Sequence, residues 1–245
     1  MYNKMAEVYN GLMQHDMNYM ARCDYIENIL DYYDASADIV CDLACGTGVI
    51  TNELARRGYD MIGVDISSEM LDIARAGAPK ERVLYLNQDI KKLDLYGSCG
   101  AFLCLTDGFN YITSPKTLLG ILKRIRTCFI DNGGLLIFDV STDYKLSTIL
   151  GNNTYVFDTD KIFYTWDNKF SKIAKLLKMD LTFFEKTSSK LYTRFDETHI
   201  QRAYSIDELN KLLKLAGFNV MANYADLTFD KPEQDTQRVF FVAKA

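Results

Sequence analysis

Apolar positions recur at three-to-four spacing early in the chain. Tyr25, Ile26, Ile29, Leu30 and Tyr33 fall on one face, so residues 1–36 read as a helical cap. The pattern then becomes short apolar runs separated by amphipathic stretches. Ile39-Val40-Cys41-Asp42-Leu43 predicts a strand, followed by a glycine turn and a helix over roughly 48–57. Residues 60–65 predict a second strand, and Ser67 stands where it can cap a helix carrying Met70, Leu71, Ile73 and Ala74. Residues 82–86 and 100–105 predict the third and fourth strands. Ser114-Pro115 supplies an N-cap and a first-turn proline for a helix holding Leu118, Leu119, Leu122, Ile125 and Phe129. Asn132-Gly133-Gly134 then turns into a fifth strand at 135–140.

Short strands alternating with helices imply a parallel sheet covered on both faces. After Val140 the rhythm changes. Three strand-like stretches near 155–166, 174–184 and 190–204 are rich in Tyr, Phe, Thr and Leu. They predict a small antiparallel sheet inserted at 143–204, serving as a lid or a wall of an acceptor pocket. The parallel rhythm then resumes. Ser205-Ile206-Asp207-Glu208 reads as a capping box, its helix runs through Leu209, Leu212, Leu213 and Leu215, and Gly217 ends it. Strands near 218–226 and 237–243 complete the count. The expected fold is α/β, doubly wound, with a mostly parallel seven-stranded sheet in one domain over 1–245 and a small inserted antiparallel sheet.

Composition narrows the function. Hydrophobic residues make up 48% of the chain, enough for a large core, and the formal charge is −5. With no basic face in view, nucleic acid is disfavoured as a partner, because phosphate neutralisation dominates such binding. The N-terminus has no apolar stretch followed by a small-residue cleavage site, and no apolar run has membrane-spanning length. The expectation is a cytoplasmic protein with no membrane partner. Six cysteines at 23, 41, 45, 99, 104 and 128 form no C-x-x-C pair, so buried reduced thiols and no metal site are expected.

Candidate chemistry gathers at the carboxyl ends of the first four strands, the edge where open α/β sheets bind ligands. Asp42-Leu43-Ala44-Cys45-Gly46-Thr47-Gly48 places small residues at 44, 46 and 48, which permit a tight turn and a close ligand. Asp65 ends the second strand, placed to accept hydrogen bonds from ribose hydroxyls. Asp89 follows the third strand, where it can read an adenine edge, and residues 105–111 follow the fourth. The spacing fails the dinucleotide fingerprint G-x-G-x-x-G/A. Asp42 also enters the loop as an acid, which would repel a pyrophosphate and attract an ammonium. S-adenosylmethionine carries an ammonium and a sulfonium and no phosphate, so charge favours it over a nicotinamide dinucleotide.

The run Asp42 to Gly48, followed by Gly63-Val64-Asp65-Ile66-Ser67 with Met70-Leu71 and then Gln88-Asp89, closely resembles the class I S-adenosylmethionine-dependent methyltransferases. The likeness extends to Tyr2, Ala6 and Tyr9 and to the stretch Arg194–Tyr204. It lies nearest small bacterial methyltransferases similar to the glycine and amino-sugar N-methyltransferases. The resemblance implies a Rossmann-like methyltransferase fold, S-adenosyl-L-methionine as donor and S-adenosyl-L-homocysteine as product. It implies that Asp42, Ala44, Cys45, Gly46 and Gly48 surround the methionine part and that Asp65 holds both ribose hydroxyls. Ile66 and Met70 would sandwich the adenine, with Gln88, Asp89 and Ile90 at its edge. Leu105, Asp107, Asn110 and Tyr111 would line the methyl-transfer side, and Tyr9 and Arg22 would close over the cofactor.

Each candidate also has an ordinary structural use. Asp65 can cap the next helix, Asp42 can be a solvated strand end, and Cys45 needs only to be small. Of the two histidines, His199 shares a strand face with Phe195, Glu197 and Gln201; it and Tyr111 are the catalytic candidates. His15 lies in a polar helical stretch. Tyr164, Trp166, Phe183, Phe184 and Tyr192 either line an acceptor pocket or pack the small sheet. The expected reaction is in-line methyl transfer to nitrogen or oxygen of a small molecule, with no dedicated base required. The alternatives are an RNA methyltransferase and a non-catalytic S-adenosylmethionine binder.

Overall fold

The computed structural model describes residues 18–79, 81–188 and 191–245. Helix α1 (Tyr19–Tyr32) is capped by Asn18, whose side chain accepts from the Ala21 N–H. It leads into β1 (Ile39–Leu43), α2 (Val49–Arg56), β2 (Asp60–Asp65), α3 (Ser68–Ala76), β3 (Val83–Asn87) and β4 (Cys99–Cys104). Then come α4 (Pro115–Arg124), β5 (Ile130–Ser141), β6 (Thr154–Asp158), β7 (Ile162–Ser171), β8 (Leu176–Lys186) and β9 (Tyr192–Arg202). The chain closes with α5 (Ile206–Ala216), β10 (Asn219–Ala225) and β11 (Arg238–Lys244).

Seven strands form one sheet in the order β10-β11-β5-β4-β1-β2-β3. The pairs β4–β5, β1–β4, β1–β2 and β2–β3 are parallel, and β11 runs antiparallel to β5 and β10. The chain order reverses between β1 and β4, which opens a crevice at their carboxyl ends. Alternation along the central strands feeds two cores. Phe102, Leu136, Phe138 and Phe241 pack under α4 and α5, while Ala101, Leu103, Ile137, Phe240 and Val242 pack under α1 and α2.

The predicted caps form. Ser67 accepts from Met70 N–H and Ser114 from Thr117 N–H. Helix α5 ends in a Schellman pair, with Gly217 N–H on Lys214 C=O and Phe218 N–H on Leu213 C=O, and Gly217 at φ +92°. Two local expectations need correction. Ser205 accepts from Glu208 N–H, but the Glu208 carboxylate accepts from Arg202 at 3.1 Å, so this half of the capping box is diverted to a cation. The 132–134 turn lies within β5, where Cys99 pairs with Ile130 and Ala101 with Leu135, so residues 131–134 loop out between them.

Between β5 and α5 stands a separate antiparallel sheet, β6-β7-β8-β9. It has four strands where periodicity suggested three, because polar residues 159–161 turn the 155–166 stretch into a hairpin. Its core holds Tyr164, Leu177, Phe183 and Leu146, with Trp166 and Phe195 packed against them, so Tyr164, Trp166 and Phe183 serve as packing. Tyr192 is exposed and Phe184 half-buried. Among the described residues, no helix is long and apolar enough to cross a membrane, and no group of metal-ligating side chains gathers.

Candidate functional site

The loop from β1 to α2 alternates its backbone hand. Ala44, Gly46 and Gly48 have φ of +55°, +56° and +71°, so all three predicted small positions adopt left-handed geometry. Gly48 has a second reason: a Cβ there would lie 2.3 Å from Tyr85 Oη. A Cβ at Gly46 would meet nothing, so that backbone faces open space. The loop is bound to the neighbouring strand by Cys45 N–H on Val64 C=O at 3.1 Å and Gly46 N–H on Asp65 Oδ2 at 2.9 Å.

Asp65 takes up the structural use considered for it and ties down the loop as well. Its Oδ1 accepts from Ser67 N–H at 2.9 Å, fixing the entrance to α3, and its Oδ2 fixes the loop. Each carboxylate oxygen keeps a lone pair for a ligand hydroxyl. Burial raises its pKa, opposed by those backbone donors. Asp42 is only 4% exposed and accepts from Thr51 Oγ1 at 2.5 Å. Burial pushes its carboxyl up to about 7, the Thr51 bond opposes this, and nearby Asp65 adds to it. Two acids held close in a dry crevice are short of a cation.

Tyr19, Asp42, Ala44, Cys45, Gly46, Thr47, Val49, Ile50, Leu105 and Thr106 line this crevice. Ile66 is 63% exposed beside it, whereas Met70 is 2% exposed, so only Ile66 has an open apolar face. Asp89 caps a short turn through Lys91 N–H, and Ile90 is buried. The Gln88 amide closes a two-bond clasp on the Asp94 backbone. Cys45 is half-buried, with its thiol pKa raised by burial, as suits a small filler. Tyr9 and His15 lie outside the described residues.

After β4, Thr106 and Asp107 both take positive φ, at +55° and +68°. That geometry is costly for a β-branched residue and is held by surrounding bonds. Asp107 N–H donates to Asp139 Oδ1, and the Arg238 guanidinium grips both Asp107 oxygens at 2.6 and 3.2 Å. Arg238 also reaches Asp139 at 2.7 Å, and Arg22 reaches Asp139 and Asp226 at 3.2 Å each. Arg238 and its neighbouring charges hold the Asp107 carboxyl below its usual range, against the upward pull of burial. Asn110 is buried with its amide on Ser141 and Arg202 C=O. The side chains of Arg22, Asp107 and Asn110 are thus engaged in protein bonds, while the backbone beside Asp107 forms crevice wall.

The two catalytic candidates come from distant segments and meet. Tyr111, after β4, and His199, on β9, stand edge to face at 5.9 Å between ring centroids. Burial lowers the imidazole to about 4, so it is neutral at pH 7. Sequence reasoning missed Tyr19, Asp139 and Arg238. Only the last carried a signal, an arginine opening a strand whose next five residues are apolar.

Residues 40–133 match the family model described as a methyltransferase domain. The chain is 32% identical to a protein of Geobacillus sp. (strain WCH70) classed with the methyltransferases, over 99% of both chains. The S-adenosylmethionine-dependent methyltransferase of Clostridium acetobutylicum ATCC 824 is a similar solved structure, with TM-score 0.88 and 34% identity, covering 99% of this chain and 98% of that one. The S-adenosylmethionine-bound amino pentose methyltransferase CalS10 of Micromonospora echinaspora shares the fold, with TM-score 0.74 and 15% identity over 97% of this chain and 96% of that one.

Proposed function

The chain belongs to the class I S-adenosylmethionine-dependent methyltransferases, and we propose that it moves the methyl group to a nitrogen or oxygen of a small-molecule acceptor. The observation that carries the donor site is the closeness of buried Asp42 and Asp65 at the carboxyl ends of β1 and β2, with Asp65 anchored to the loop amide of Gly46. In this reading Asp65 accepts from the two ribose hydroxyls and Asp42 faces the ammonium. Ile66 covers one adenine face, and the open backbone at Gly46 lets the methionine part lie close.

Bound S-adenosylmethionine supplies a methyl carbon activated by its sulfonium leaving group. The residues of the chain align donor and acceptor and exclude water, which can supply on the order of 7–11 kcal/mol. Tyr111 and His199, packed edge to face behind the turn after β4, support the acceptor side without lining either cleft. The buried His199 imidazole, neutral with its pKa lowered to about 4, is a weak base at pH 7. That arrangement suits an amine arriving with its lone pair free better than a hydroxyl needing deprotonation. The amino pentose substrate named for CalS10 fits the same preference for a small polar acceptor.

Thermal unfolding with S-adenosylhomocysteine, NAD and NADP in parallel tests this reading. A ligand at about 100 times its dissociation constant adds about 2.7 kcal/mol. The expected result is stabilisation by S-adenosylhomocysteine alone, largely abolished in Asp65→Ala. Stabilisation by NAD without the homocysteine product would overturn it.

A further inference from the structure

A second cleft, of about 380 Å³, opens beside the donor crevice and is lined by Arg22, Lys145, Asp226, Arg238 and the exposed Asp235. The two clefts share a wall. Asp107, in the strained turn after β4, is bonded to Arg238, which faces the second cleft. Lys145 opens the helical turn Lys145–Leu150 after β5, anchored by its N–H on Thr142 Oγ1.

The charges in this cleft are unevenly used. Both Asp107 oxygens are taken by Arg238, with Ser141 Oγ also on Oδ1. Both Asp139 oxygens are bonded to arginines, and Asp226 is paired with Arg22. Two donors are left over. Arg22 is 3% exposed and its Nε is buried with no acceptor. Lys145 forms no ion pair among the described residues, and burial lowers its pKa against the pull of Asp107 and Asp139. Arg22 Nε is closed to solvent and its guanidinium is held by Asp139 and Asp226, so Lys145 is the lining cation that a ligand oxygen can pair. Asp235 stands at the rim, where solvent screens its charge.

We propose that this cleft seats the methyl acceptor and takes an anionic group of it, a carboxylate or a phosphate, at the Lys145 ammonium. The inference rests on the methyltransferase reading above and names the acceptor as a small molecule carrying negative charge.

Calorimetric titration of malonate and, separately, inorganic phosphate into the protein saturated with S-adenosylhomocysteine tests it, using wild type, Lys145→Met and Lys145→Arg. The expected result is binding of at least one anion by wild type, weakened about tenfold or more in Lys145→Met and kept in Lys145→Arg. The arm that binds distinguishes carboxylate from phosphate. S-adenosylhomocysteine affinity should be the same in all three proteins. If both anions bind wild type and Lys145→Met alike, or neither binds wild type, the anion inference falls while the methyltransferase reading stands. If S-adenosylhomocysteine itself fails to bind wild type, both fall.

Discussion

The donor crevice and the charged cleft stand side by side at one sheet edge, yet they are built in opposite ways. The crevice comes from residues 42–48 and 65–67, closed by short-range backbone bonds, with two acids whose pKa values are raised by burial. The cleft joins Arg22, Asp107, Asp139, Asp226 and Arg238, with bonded partners as far as 204 positions apart, into a network whose carboxylates are already satisfied. One region is poised for a ligand's positive charge. The other spends most of its charge holding α1, β4, β5 and β11 together.

The largest expected effect follows from that contrast. Arg238→Met leaves Asp107 buried without its bonded cation and takes one of the two arginines from Asp139, which costs about 3–5 kcal/mol. For a domain of this size that is a fall in melting temperature of about 6–20 °C. A loss of under about 1 kcal/mol in urea unfolding would show that the network is not structural, and the contrast would dissolve.

A smaller effect separates Asp42 from His199 by the sign of their pH dependence. Folding raises the Asp42 pKa from 3.8 to about 7, so the folded state binds the extra proton and stability falls as pH rises through that window. Folding lowers the His199 pKa from 6.5 to about 4, so the unfolded state binds the extra proton and stability rises with pH between about 4 and 6.5. The two partly cancel in the wild type. Asp42→Asn should therefore steepen the rise of stability with pH over 4–6.5, and His199→Gln should turn it into a fall. Urea unfolding at pH 4.5, 5.5 and 6.5 reads both slopes; equal slopes in the two variants would contradict the assignments.

Much of the fold was legible because it is written locally. Strand alternation, Ser67, Ser114 and Gly217 each specify their element through neighbours within a few residues. The donor loop was legible for the same reason, since the small residues at 44, 46 and 48 stand together and all take positive φ. The cleft network was not. Arg238 and Asp139 look like ordinary strand-end charges until β11 inserts beside β5 and pairs Val239 with Val140. Thr106 carries no sequence sign of its left-handed backbone, which depends on Asp107 being gripped by a residue 131 positions away. The hairpin β6–β7 was obscured because its polar turn contains neither glycine nor proline.

A crystal structure of the protein with S-adenosylhomocysteine tests the central claim most directly. The account predicts both ribose hydroxyls on the Asp65 carboxylate, the amino group facing Asp42 and the adenine against Ile66. A ligand diphosphate in that crevice, or Asp42 and Asp65 turned away from the bound product, would contradict it.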